Sequence, residues 1–108
     1  MIWILIKFQN YLVNMEEKKF YPLSSLEWDF WNQARASLHL NNKDDAFTTY
    51  VTKCRIENIE HVAKEKNVST EQIIAYLKKF WDKAMEGLYM GHRQFRKRFE
   101  SFRKKTIL

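Results

Sequence analysis

The sequence predicts an all-α fold, a compact bundle of about five or six helices in a single domain over residues 1–108. Length is the first observation, because 108 residues can bury one hydrophobic core and are too few for two domains. Composition is the second, since 45% of the residues are apolar and can supply that core. The third is the scarcity of turn formers: two Gly and one Pro favour long helices over many short strands.

The N-terminal segment MIWILIKFQNYLVN is predicted to form a first helix over residues 2–13. Its β-branched opening would also suit a strand, but no other segment offers a convincing partner strand. The apolar run stops at Lys7, short of the about 20 residues of a membrane span, and a signal peptide's basic start and cleavage site are missing. Met15 opens a more ordinary protein start, so residues 1–14 are interpreted as an optional extension. We expect no membrane span, and the single Cys54 fits a cytoplasmic location.

A boundary and a capping pattern predict the second helix, over residues 26–40. Pro22 restricts the residue before it, and Ser24 with Glu27 has the spacing of a capping box, in which each side chain satisfies a backbone N–H of the first turn. The inward stripe of this helix consists of Leu26, Phe30, Ala34 and Leu38, with Trp31 beside it.

The next segment carries a second capping pattern and a change of helical phase. Asn42 and Asp45 are spaced to begin a helix. Two apolar faces follow: Phe47, Tyr50, Val51 and Cys54 share the first, and Ile56, Ile59 and Ala63 share the second. Because the second face is rotated by roughly a third of a turn at about 100° per residue, we expect a bend or break near residues 55–58. The prediction is a third helix over residues 44–54 and a fourth over 57–66.

The C-terminal third is predicted to form the last two helices. Asn67 tolerates the left-handed conformation that ends a helix, and Ser69 with Gln72 forms a capping box for a fifth helix over residues 70–87. The inward residues of the fifth helix are Ile73, Leu77, Phe80, Ala84 and Leu88. A last helix over residues 92–105 places three phenylalanines on one stripe: Phe95, Phe99 and Phe102.

Residues 59–80 combine a small residue, a turn former, a cap and apolar spacing. The pattern consists of Val62, Ala63, Asn67, Val68, Ser69, Ile73 and Tyr76. This stretch resembles the helix-turn-helix DNA-binding superfamily, in which a small residue lies where the two helices cross. It departs from the family at Asn67, where glycine is usual, and at Lys66, where an apolar residue is common. An ordinary αα-corner with a good cap explains the same pattern and stays open.

The resemblance implies a recognition helix whose outward residues are Thr70, Glu71, Gln72, Ala75, Lys78 and Lys79. In that arrangement Gln72 would read an adenine edge, and Lys78 and Lys79 would hold phosphates.

The net charge of +6 is a local feature of the last helix. From His92 onward one acid, Glu100, stands against seven bases, whereas residues 1–91 carry twelve basic and twelve acidic side chains. The seven bases are Arg93, Arg96, Lys97, Arg98, Arg103, Lys104 and Lys105. A local basic cluster indicates a polyanionic partner, because bases neutralise phosphates and release counterions.

The aromatic residues among these bases have two explanations. They can stack on nucleic-acid bases. Their helical spacing, however, favours a stripe that packs on the core. A basic amphipathic helix can also lie on an anionic membrane or in a partner's groove. Trp28 and Trp31 flank Asp29, and their partial exposure would mark a partner surface.

Enzyme and metal sites are not predicted. Cys54, Glu57 and His61 offer ligand types for zinc, but the common four-ligand spacings are missing, so a buried cysteine beside a surface Glu57–His61 pair is preferred. A Cys–His nucleophile pair has no third orienting group, and a chain with two glycines has no phosphate-cradling loop. No cofactor is expected.

These patterns predict a small non-enzymatic accessory or regulatory protein that binds nucleic acid, DNA rather than RNA. The helix-turn-helix-like unit and the basic helix would make the contacts. The alternative, from another class, is a protein-interaction module that inhibits or adapts a larger machine by docking on an acidic partner protein. Oligomeric state and target sequence are not predicted.

Overall fold

The computed structural model describes residues 19–108, which form four helices and no strand. The helices are α1 (Leu23–Ala36), α2, α3 (Thr70–Glu86) and α4 (His92–Lys105). The second, α2, runs without interruption through Lys43–Tyr50, a π-helical turn at Val51–Arg55, and Ile56–Lys66. The all-α prediction is confirmed for the described residues, but five or six helices are not found. The predicted helix over residues 2–13 and the optional extension 1–14 lie outside the described residues.

Helices α1 and α3 form the central pair, with the most extensive contact between any two elements. They run parallel, because Glu27 near the start of α1 bonds to Tyr76 in the first half of α3, and Phe30 lies farther along against Trp81. The largest fully buried side chains come mainly from these two helices: Trp31, Trp81, Phe30, Phe80, Leu26, Ile73 and Leu77. The hydrophobic core therefore lies between α1 and α3.

The other two helices cover this pair. Helix α4 runs antiparallel to α1, since Arg103 near its end contacts Glu27 and Phe95 near its start contacts Trp31. Helix α2 covers another side, where the Phe47 ring packs on those of Phe30 and Trp81. The arrangement leaves one long side of α4 facing solvent.

The change of phase in α2 is absorbed by the π-helical turn at Val51–Arg55. In a regular helix Ile59 would lie about 80° away from Val51 around the axis. A π turn takes in roughly one extra residue, which brings the two side chains to within about 20° of each other. Both are accordingly buried in the same core. The predicted separation into two helices is therefore not found, because an extra residue corrects the phase without ending the helix. The irregularity itself ends at Arg55, whose φ of −130° and ψ of 0° depart from helical values.

The turn between α2 and α3 follows the predicted local pattern. Asn67 adopts the left-handed conformation with φ 54°, and the Val68 N–H donates to the Ala63 carbonyl at 3.0 Å, as in a Schellman motif. The Ser69 hydroxyl accepts from the Gln72 N–H, and the Gln72 side chain accepts from the Ser69 N–H. The predicted capping box of α3 is thus confirmed. Asn42 is the N-cap of α2, where its side chain accepts from the Asp45 N–H and donates to the Asp45 carboxylate, which is one half of the predicted box.

Two predictions about α1 are wrong. Pro22, and not Ser24, occupies the N-cap, and no side chain caps this end. The partner expected for that cap, Glu27, lies buried and bonds to other helices. At its other end α1 stops at Ala36, short of residue 40; there the Ser37 hydroxyl donates to the carbonyl four residues earlier, a bond that competes with continued helix.

Candidate nucleic-acid interface

The apolar stripe of α4 sets which side of this helix faces solvent. Phe95 and Phe99 are buried and Phe102 is half-buried against the core. The ring of Phe99 meets that of Trp31 edge-on at 5.5 Å, and the ring of Phe102 meets that of Phe80 at 5.1 Å. The core-packing explanation of the three phenylalanines is confirmed, and the basic residues lie on the other sides of the helix.

Three of the seven bases are held by carboxylates. Arg103 Nε donates to Glu27 Oε1 at 2.8 Å, and Arg98 Nη2 donates to Glu86 Oε2 at 2.9 Å. Arg96 is 3.5 Å from Glu100, and its guanidinium lies 4.9 Å from the centre of the Trp28 ring. These three arginines have structural partners within the fold.

The remaining four bases, Arg93, Lys97, Lys104 and Lys105, are exposed and form no ion pair with a described residue. At about 100° per residue, Arg93, Lys97 and Lys104 lie within about 40° of one another, directly opposite the phenylalanines. We call these three residues the outer basic stripe. With a rise of 1.5 Å per residue, it extends over about 16 Å. Glu100, the acid on this side, is the one that faces Arg96.

A groove between α3 and α4 brings two of the seven bases, Arg98 and Lys105, together with Lys83, which the sequence pattern did not single out. Its volume is about 480 Å³, and it is lined by Lys83, Arg98, Ser101, Phe102, Lys105 and Thr106. We call it the α3–α4 groove. Lys83 belongs to α3, and the other lining residues belong to α4 or follow it directly. The sequence places Lys83 among mixed charges, so only the pairing of the two helices brings it to this group.

Some of the predicted recognition-helix residues are already hydrogen-bonded within the protein. Gln72 is exposed, but its side-chain oxygen accepts from the Ser69 N–H. Lys78 is bonded to Asp44 and Asp82, at 3.1 and 2.8 Å. Although partial burial lowers it, the pKa of Lys78 lies above its usual value because of these hydrogen bonds.

Lys79 remains available on the outer side of α3, whereas Thr70 lies about 180° around the helix from it, on the side of the buried Leu77. Thr70 is half-buried in the first turn, and Lys79 is exposed. The outer side also carries Glu71 and Asp82, both exposed, so the local charge is mixed. An outer surface of mixed sign attracts phosphates less than the outer basic stripe does.

Cys54 and His61 of α2 are the residues that offered metal or nucleophile chemistry in the sequence. Cys54 is exposed, so the expectation of a buried cysteine is wrong. The π turn begins at Val51, whose side chain is buried in the core, and Cys54 lies within this turn on the solvent side. His61 Nε2 lies 2.9 Å from Glu65 Oε1, and its ring stacks on that of Phe20. Within residues 19–108 no group of three or more His, Cys, Asp or Glu side chains could hold a metal ion, and no helix could cross a membrane.

The tryptophans give a similarly mixed result. Trp31 is fully buried, so its predicted partial exposure is wrong, whereas Trp28 is half-buried as expected.

Comparison with protein families, with curated proteins and with solved structures finds no match to this chain.

Proposed function

We propose that this protein binds nucleic acid through the outer basic stripe of α4, as a non-enzymatic accessory or regulatory protein. The observation that carries the proposal is the separation of roles among the seven bases. Arg96, Arg98 and Arg103 have carboxylate partners, whereas Arg93, Lys97 and Lys104 point to solvent in one row. The one acid on this side, Glu100, is paired with Arg96, and three aligned cations suit a row of phosphates.

The length of the stripe fits a phosphate backbone. Successive phosphates on one strand of a duplex are separated by several ångströms, so a row of about 16 Å faces about three of them. Contacts to phosphates give affinity without sequence preference, so we expect sequence-independent binding by α4. DNA remains the proposed target.

The corner between α2 and α3 has a secondary part in this proposal. Its turn, its cap and the buried Ala63 support a close crossing of two helices. Gln72 and Lys78 already have partners within the protein, so base reading by α3 would require those bonds to break. Lys79 is the corner residue that we propose as a further contact.

The test measures binding of labelled duplex DNA, single-stranded DNA and RNA by fluorescence anisotropy over a range of salt concentrations. If three to four phosphates are neutralised, the log–log plot of affinity against salt has a slope of about −3 to −4 on duplex DNA. The double variant Lys97→Gln/Lys104→Gln removes two of these cations. It is expected to weaken binding of all sequences alike and to flatten the slope by about two units.

The matched control is Lys43→Gln/Lys53→Gln, which removes two exposed lysines of α2 and changes the net charge equally. The control is expected to bind with nearly the original slope. Equal losses in the two double variants would show that only total charge matters, and no binding at low salt would exclude the proposed function.

A second candidate function is docking on an acidic partner protein, which one observation favours. Tyr89 is 99% exposed in the turn before α4, and Met90 beside it is 37% exposed. The carbonyl of Met90 accepts from Arg35, so this turn is held against α1. Stronger binding to polyglutamate than to single-stranded DNA of equal charge, weakened by Tyr89→Ser, would favour this function over the first.

A further inference from the structure

We propose that the α3–α4 groove binds a phosphate ester of nucleotide size. This inference rests on the proposed function, because we expect the phosphate to belong to a nucleic-acid strand. A free mononucleotide carries the same chemistry and is the other source that the experiment distinguishes.

The charge of the groove is the first support. Lys83, Arg98 and Lys105 bring three positive charges to it, and among residues 19–108 the one carboxylate bonded to these cations is that of Glu86. The hydrogen bond from Lys83, 3.0 Å long, and the charge of this lysine hold the pKa of Glu86 below its usual value, with a smaller effect of Arg98. One acid therefore leaves about two unbalanced positive charges, which is enough for the single charge of a phosphodiester in a strand or for the roughly two charges of a free phosphate monoester.

Arg98 packs against the backbone of the turn before α4. A Cβ atom added at Gly87 would clash with Arg98 Nη1, so the guanidinium occupies the space beside this glycine. Its side chain is 22% exposed and is bonded to Glu86. An arginine held in this way loses little conformational entropy when it receives an anion.

The volume of the groove and its remaining lining residues indicate a ligand larger than inorganic phosphate. A volume of about 480 Å³ lies in the range of small-molecule sites and exceeds what a phosphate alone needs. Ser101 supplies a hydroxyl, the Thr106 hydroxyl donates to the Phe102 carbonyl at 2.9 Å, and the half-buried Phe102 ring supplies an apolar wall. A sugar or base attached to the phosphate can contact that wall, as in sites for single-stranded nucleic acid.

The experiment follows the backbone amide signals of the whole chain by NMR during titration with adenosine 5′-monophosphate, with inorganic phosphate and with adenosine. We expect saturable shifts at Ser101 and Thr106 with the monophosphate, weaker ones with phosphate and none with adenosine. Ser101→Asp places a carboxylate at the groove and is expected to weaken binding about tenfold or more, because like charges repel. Ser101→Asn, of similar size and neutral, is the matched control.

Shifts that survive Ser101→Asp, or that follow the outer basic stripe and not the groove, would overturn the inference. A short single-stranded DNA separates this failure from failure of the proposed function. If the DNA binds the wild-type protein and Ser101→Asp equally well, the inference about the α3–α4 groove is wrong, and the proposed binding by the outer basic stripe is unaffected. If the monophosphate binds at the groove but the DNA does not bind at all, the groove is a mononucleotide site and the proposed function fails.

Discussion

Glu27 and Arg103 are joined across 76 positions of the sequence by a hydrogen bond of 2.8 Å between Oε1 and Nε. The Glu27 side chain is 7% exposed, and its other oxygen accepts from the Tyr76 hydroxyl at 2.5 Å. One buried carboxylate thus ties α1 to α3 and to the end of α4. This bond, together with the phenylalanines, holds α4 in the rotation that exposes its outer basic stripe.

Replacing Arg103 by Ala should destabilise the fold. The change leaves the Glu27 carboxylate in the core with one partner fewer, and unpaired buried charges are costly. Because the Arg103 side chain is 50% exposed, water replaces part of the bond, so we expect a loss of about 1–3 kcal/mol in the free energy of unfolding. Urea denaturation followed by circular dichroism measures it.

The control for this change is Lys104→Ala, at the next position. Lys104 is exposed and lies on the outer basic stripe, so its removal should change stability by no more than about 0.5 kcal/mol. Equal stability of the two variants would mean that the Glu27–Arg103 bond contributes nothing measurable.

Tyr76 should make stability fall at alkaline pH. Burial, and then its hydrogen bond to Glu27, raise the pKa of Tyr76 in the folded protein above its ordinary value. A group whose pKa is raised by folding stabilises the protein at every pH below its unfolded pKa of about 10, and this contribution is lost progressively as the pH rises above that value. Urea denaturation at a series of pH values from neutral to strongly alkaline measures the loss.

The comparison for this prediction is Tyr76→Phe, which removes the ionisable hydroxyl and keeps the ring. The variant is expected to be less stable near neutral pH, because Glu27 loses a donor, but to lose less stability on going to alkaline pH. Tyr50, whose pKa is raised by burial and by Asp29, contributes in the same direction and remains in both proteins. Identical pH dependence of the two proteins would contradict the role assigned to Tyr76.

Ala63 should not tolerate a larger side chain. It is 3% exposed at the end of α2, where the chain turns towards α3. Ala63→Leu adds volume at this site, and overpacking of a well-packed core usually costs about 1–3 kcal/mol. We expect a clearly lower melting temperature, measured by circular dichroism. Lys64→Leu at the adjacent exposed position serves as the control, and equal tolerance of both changes would argue against a close helix crossing.

The features that short sequence patterns predicted correctly depend on neighbouring residues. The Ser69–Gln72 capping box joins residues three positions apart, and Asn67 ends its helix through its own backbone conformation. The stripe of Phe95, Phe99 and Phe102 follows from helical periodicity. Contacts of this range arise within one or two turns, so they can be predicted without knowledge of the rest of the chain.

The errors lie where a distant partner competes with a local one. Ser24 and Glu27 have the spacing of a capping box, but Glu27 bonds instead to Tyr76 and Arg103. The phase change in α2 predicted a break, but packing of both apolar faces on one core favours a π turn over an interruption.

The sequence by itself determined the helical class of this protein, the turn before α3 and the concentration of positive charge in its last helix, because all three depend on composition and on spacings of a few residues. The tertiary structure decided which of those charges are available. Antiparallel packing brings Glu27 and Glu86 to Arg103 and Arg98, and leaves Lys97 and Lys104 in solvent. Charge pairing between helices depends on their relative rotation, which is set by how their apolar faces pack together.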